Sequence, residues 1–235
     1  MRQKYYQMAV NDETKTAEIY IYGDITSWEW LESDVSSYTL AKELQSLPED
    51  ISSINVYINS YGGNVSEGLA IYNALKRHKA KVTTYCDGFA ASIASVIFMA
   101  GDERVMSSAS LLFIHNAWTY TYGNANELKK AAEDLEKITQ ASINAYMEYI
   151  NISEDELKEK MDAESWLSPS ECMEWGFCTR IESEKNSNNA SQSVKKAMMQ
   201  KLLAKEVISI PDPKEPEPTE PKETENFMLK FLQSL

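Results

Sequence analysis

Hydrophobic and polar positions change period several times along this chain, and each change marks an element. Ala17-Glu-Ile-Tyr-Ile-Tyr-Gly23 alternates in the manner of a strand. Residues 36–47 read as a helix that Pro48 stops. Ile54, Val56 and Ile58 share one face of a second strand over residues 54–59. Ser60-Tyr-Gly-Gly-Asn64 is a turn with two glycines, and an amphipathic helix follows over residues 65–78. A third strand is predicted over residues 82–86. Behind it, small residues precede Ser92 and an apolar run to Gly101 follows it. That pattern predicts a strand end, a tight turn and a buried helix opening at Ser92. Residues 104–106 and 111–114 read as short strands. Residues 124–150 read as a long helix with Leu128, Leu135, Ile138 and Ile143 set among lysines and glutamates. Ser168-Pro-Ser-Glu-Cys-Met-Glu-Trp-Gly176 carries a cap, a first-turn proline, a capping-box glutamate and a terminating glycine. Strand and helix alternate, which predicts an α/β fold with mainly parallel pairing.

The pattern closes a compact domain near Ile181, over residues 1–181. Residues 182–235 form a different segment, expected to be a disordered tail. Residues 184–193 are polar and rich in Asn and Ser, residues 194–207 could hold a short helix, and residues 211–225 hold five of the seven prolines among Lys and Glu. The last residues, 227–235, form an apolar patch.

Composition narrows the function without naming it. The chain has 235 residues, 43% hydrophobic and 25% charged, with a formal net charge of −13. A nucleic-acid binder would carry a basic face, so that class is disfavoured. The first residues lack the long apolar core of a secretory signal. The most apolar stretch, residues 88–101, is shorter than the roughly 20 residues a membrane span needs. Cys86, Cys172 and Cys178 are odd in number and form no CxxC pair, as expected of reduced thiols in a cytosolic protein. No metal or cofactor is expected.

Chemistry concentrates at Ser92. A hydroxyl at a helix N-terminus lies beside free backbone N–H groups, which favour an oxyanion. A serine nucleophile needs a base to take its proton, usually histidine. The chain has two histidines. His78, in Lys76-Arg-His-Lys79, sits where a solvated basic cap belongs. His115, 23 residues after Ser92, ends an apolar strand and is the candidate base.

Three stretches, Ile58-Asn-Ser-Tyr-Gly-Gly-Asn-Val65, Gly88-Phe-Ala-Ala-Ser-Ile-Ala-Ser95 and Phe113-Ile-His-Asn116, together resemble the Clp protease proteolytic subunit family. Tyr22-Gly-Asp-Ile-Thr-Ser-Trp28, Ser92-Ile-Ala-Ser-Val-Ile97, Gly123-Asn-Ala-Asn126 and Asp162-Ala-Glu-Ser-Trp-Leu167 look most like its phage branch of prohead or head maturation proteases. The resemblance implies a crotonase-like fold of repeated β-β-α units. It implies Ser92 as nucleophile, His115 as base, and the N–H groups of Gly63 and Ile93 as the oxyanion hole. The triad acid falls at Glu164, where the family carries aspartate, with Asp162 as the alternative. It further implies a homo-oligomeric ring, cytoplasmic, acting on capsid or scaffold proteins. A housekeeping subunit partnered by an AAA+ ATPase is a second reading, and a non-proteolytic crotonase-fold relative or assembly scaffold a third.

Overall fold

The computed structural model describes residues 7–27 and 34–182. One mixed sheet runs through them. Strand β1 (Gln7–Asn11) pairs antiparallel with β2 (Thr16–Ile21), and β2, β3 (Ser53–Ser60), β4 (Lys81–Ala91), β5 (Glu103–Ser107) and β8 (Arg180–Glu182) continue it in parallel. The alternation in the sequence is the physical cause. Ala17, Ile19 and Ile21 of β2 and Ile54, Val56 and Ile58 of β3 are buried on one face. On the other face Tyr20, Tyr57 and Tyr85 stack in a row, with ring centroids 4.8 Å apart.

Helices cover the buried face. Helix α1 (Ser37–Ser46) is capped by the Ser36 side chain and buries Leu40 and Leu44. Helix α2 (Val65–Lys76) is capped by Asn64, whose side chain accepts from the N–H groups of Ser66 and Glu67. Helix α3 (Ile93–Phe98) is buried at every position, so its mostly apolar run has a packing cause. Helix α4 (Ala125–Met147) differs: its Asn124–Glu127 capping box is complete, yet only Ile143, Ala145 and Tyr146 are buried.

The sequence reading needs one correction in β4. It placed a tight turn between Cys86 and Ser92, but the chain stays extended to Ala91. Strand β4 pairs with β5 through Thr83–Cys86, then with β6 (Leu111–Ile114) through Phe89–Ala91. A register shift against β3 after Ile58 separates the two halves. The Asn59 side chain steadies it by accepting from the Phe89 N–H at 3.2 Å. The small residues that read as a turn are the bend of a single strand.

Four elements escaped the pattern: β1, α5 (Glu154–Asp162), β7 (Ser165–Leu167) and β8. Helix α5 is mostly Glu and Lys and buries only Leu157 and Met161, although its Ser153–Glu156 capping box is visible in the sequence. Strand β7 pairs antiparallel with β6, which brings residues 165–167 beside 112–114. Helix α6 (Pro169–Trp175) has the cap, proline and left-handed Gly176 that its sequence announced. The tail beyond residue 182, with its expected helix, linker and apolar end, lies outside the described residues.

Candidate active site

Strand β4 delivers Ser92 to the N-terminus of α3. Its backbone there is unusual, with φ 54° and ψ −129°. A residue with a Cβ holds such angles only where its surroundings fix them, and strain of this kind gathers at functional sites. The fixing bonds are visible. The Ser92 N–H donates to the Phe113 carbonyl of β6 at 2.9 Å, and the Ser92 carbonyl accepts from the Ser95 N–H at 3.0 Å.

The glycine turn closes the other side. Gly62 (φ 98°) lies so near that a Cβ there would fall 2.7 Å from the Ser92 Cβ and from the Ala91 oxygen. Gly63 (φ 143°) faces the chain at Ile25, where a Cβ would fall 2.1 Å from the Ile25 oxygen. Side chains are excluded at both positions, which is why two glycines stand together. The Gly62 carbonyl accepts from the Ile25 N–H at 2.9 Å, and the Asn64 N–H donates to the Ile25 carbonyl at 2.7 Å. In extended chain the intervening Gly63 N–H then points the opposite way. Among the described residues nothing accepts from the N–H of Gly63 or of Ile93.

His115 follows the last residue of β6. Its Nε2 lies 2.7 Å from the Ser92 Oγ. The ring is half-buried and stacks on Phe113, with centroids 5.3 Å apart. Burial pushes its pKa below the ordinary histidine value; the Glu164 charge and the Asn116 backbone oppose that shift more weakly. The imidazole therefore favours its neutral form, which can accept a proton. A hollow of about 20 Å³ opens beside the pair, walled by Val65, Val96, Ser142 and Tyr146. An adjoining cleft of about 440 Å³ is lined by Val65, Leu69, Trp118, Leu135 and Ile138.

A model of the Clp protease family matches residues 9–185. The chain is also 30% identical over 141 residues to the ATP-dependent Clp protease proteolytic subunit of Deinococcus radiodurans. That match takes in 59% of this chain and 69% of the relative. The chain belongs to the Clp protease family. The family is one of oligomeric serine peptidases that act on proteins.

Against that family frame, the two carboxylates named from the sequence separate. Asp162, the last residue of α5, accepts from the Asn116 side chain at 2.7 Å and so braces the residue after His115. Glu164 has φ 49° and links α5 to β7. Its charge acts on His115. Among the described residues no hydrogen bond joins the Glu164 carboxylate to the imidazole. His78 departs from the solvated basic cap expected of it. It is partly buried, its Nδ1 accepts from the Ala80 N–H at 3.1 Å, and burial pushes its pKa down.

Three participants were not singled out from the sequence. Asn116, beside His115, donates to Asp162, Gly62 walls Ser92, and Ser95 reaches back to the Ser92 carbonyl. Ser95 had a signal, since it stands three residues after Ser92 on the same helix and so can reach that carbonyl. Among the described residues no cluster of three or more His, Cys, Asp or Glu is placed to hold a metal. None of their helices is long and apolar enough to cross a membrane.

Proposed function

We infer that this chain is a serine endopeptidase in which Ser92 is the nucleophile and His115 the general base. The observation that carries the reading is the 2.7 Å contact between His115 Nε2 and Ser92 Oγ, at a strained helix entry beside two open N–H groups. In this reading neutral His115 takes the Ser92 proton as Oγ attacks a peptide carbonyl. The resulting oxyanion is held by the N–H groups of Gly63 and Ile93. The imidazolium then protonates the leaving amine, and water hydrolyses the acyl-enzyme by the reverse sequence. Glu164 stabilises the imidazolium. The substrate strand lies along the open edge at Gly63 and pairs through its backbone.

The physiological substrate would be a capsid or scaffold protein cleaved in the bacterial cytoplasm during phage head assembly. The motifs shared with the phage branch support this. The name of the Deinococcus relative favours a second reading, a proteolytic subunit that receives unfolded protein from an ATPase. In both readings the protomers form a ring. Leu128 and Ile138, 44% and 40% exposed on α4, support an interface there. Residues 1–181 are the peptidase domain, and the tail serves targeting or assembly.

Two measurements test the chemistry. A fluorophosphonate probe should label wild-type protein at Ser92, found by peptide mass mapping. Ser92→Ala should abolish labelling and lower peptide hydrolysis by about 10⁴-fold or more with folding intact. A Ser92→Ala protein that still cleaves at the wild-type rate would sink the reading. Co-expression with a phage capsid or scaffold protein, followed by N-terminal sequencing, separates head maturation from general proteolysis.

A further inference from the structure

Beneath Ser92 lies a pair of hydroxyls that the proposed reaction does not use. Ser95 is fully buried and Tyr146 nearly so, at 0% and 2% exposed. The Ser95 Oγ lies 2.7 Å from the Tyr146 hydroxyl and also bonds the Ser92 carbonyl. Proton accounting fixes the direction. A carbonyl only accepts, so Ser95 spends its single hydroxyl proton on Ser92. Tyr146 must then donate to Ser95. The chain of bonds runs one way, from Tyr146 of α4 through Ser95 of α3 to the Ser92 main chain.

The Ser92 carbonyl and the Ile93 N–H belong to one planar trans peptide and point in opposite directions. A bond that pulls the carbonyl inward therefore aims the Ile93 N–H outward, toward the place where the oxyanion would form. We propose that Ser95 and Tyr146 are positioning residues that hold this peptide plane and so orient the Ile93 donor. This rests on the function inferred above and adds to it residues that touch no substrate atom. Their effect falls on the transition state, because charge on the substrate oxygen develops only there.

The test compares Ser95→Ala, Tyr146→Phe and the double variant with wild type. Each is assayed for kcat and KM on a small peptide and for the rate of fluorophosphonate labelling, below its measured unfolding temperature. Ser95→Ala should lower kcat and the labelling rate by about 10- to 100-fold, as a misdirected oxyanion donor would. KM should stay within about twofold, because ground-state binding is untouched. Tyr146→Phe should lose less, and the double variant no more than Ser95→Ala, since Tyr146 acts only through Ser95. The double variant also removes both polar partners together and so leaves no buried group orphaned. Wild-type kcat and labelling in Ser95→Ala would overturn the proposal, as would losses that multiply in the double variant or appear only in KM. Wild-type protein that takes no label at Ser92 would instead remove the function itself, and this proposal with it.

Discussion

Replacing Gly62 by alanine disturbs the site without removing any group that handles a proton or contacts substrate. The new methyl would stand 2.7 Å from both the Ser92 Cβ and the Ala91 oxygen, and 3.2 Å from the Ile93 nitrogen. Carbon atoms rest at roughly 3.6 Å, so Ser92 must retreat by about 0.9 Å. Two of these neighbours are main-chain atoms and the third is fixed to one, so no flexible side chain absorbs the push. Gly62 also has φ 98°. Holding a residue with a Cβ on that side of the map costs about 1–2 kcal/mol, and overpacking adds about 1–3 kcal/mol. A domain of this size loses about 2–4 °C per kcal/mol, so the unfolding midpoint should fall by roughly 4–20 °C. A shift of about 1 Å in a reacting group costs on the order of 10²-fold in rate. The assay is kcat/KM on a small peptide at a temperature where calorimetry shows the variant folded. A Gly62→Ala protein with wild-type kcat/KM and an unshifted midpoint would show that the glycine turn does not press on Ser92.

Other predictions follow from the same contacts. Glu164→Gln should lower kcat more than Asp162→Asn, because the Glu164 charge acts on His115 while Asp162 is engaged by Asn116; the opposite ranking would move the acid to Asp162. Activity should rise with pH as His115 loses its proton, with the acid limb below 6.5 because burial lowers the imidazole pKa. Glu164→Gln should move that limb to still lower pH, since it removes the charge that favours imidazolium; an upward move in the pH profile would contradict the assignment. His115→Ala should abolish peptide hydrolysis. His78→Ala should leave kcat near wild type and cost only some thermal stability, because its role is to accept from Ala80.

The legible parts of the fold were those with strong periodicity or complete caps. Residues 54–58, the Asn64-capped helix and the Ser168–Gly176 helix all announced themselves, because one face or one end had a single physical requirement. The second half of β4 did not. Gly88, Ala90 and Ala91 read as turn residues, and only pairing with both β3 and β6 keeps them extended. Helix α5 was hidden by its charge, since two buried side chains make a weak period. Within the site, Ser92 and His115 could be paired because histidine is scarce here. The acid could not, because Asp162 and Glu164 differ by which neighbour each faces. That difference is set by the helix end at Ala163 and the left-handed turn at Glu164.

The pairing of β6 with β7 joins residues 112–114 to 165–167, about fifty positions apart. Ser92 and His115 therefore leave the ribosome long before the segment carrying Glu164. The Glu164 charge acts on the imidazole only once that later stretch has been made and has docked against β6. A half-synthesised chain would hold the proposed nucleophile and base but lack the Glu164 charge beside them. The order of synthesis therefore delays completion of the proposed site until most of the domain exists.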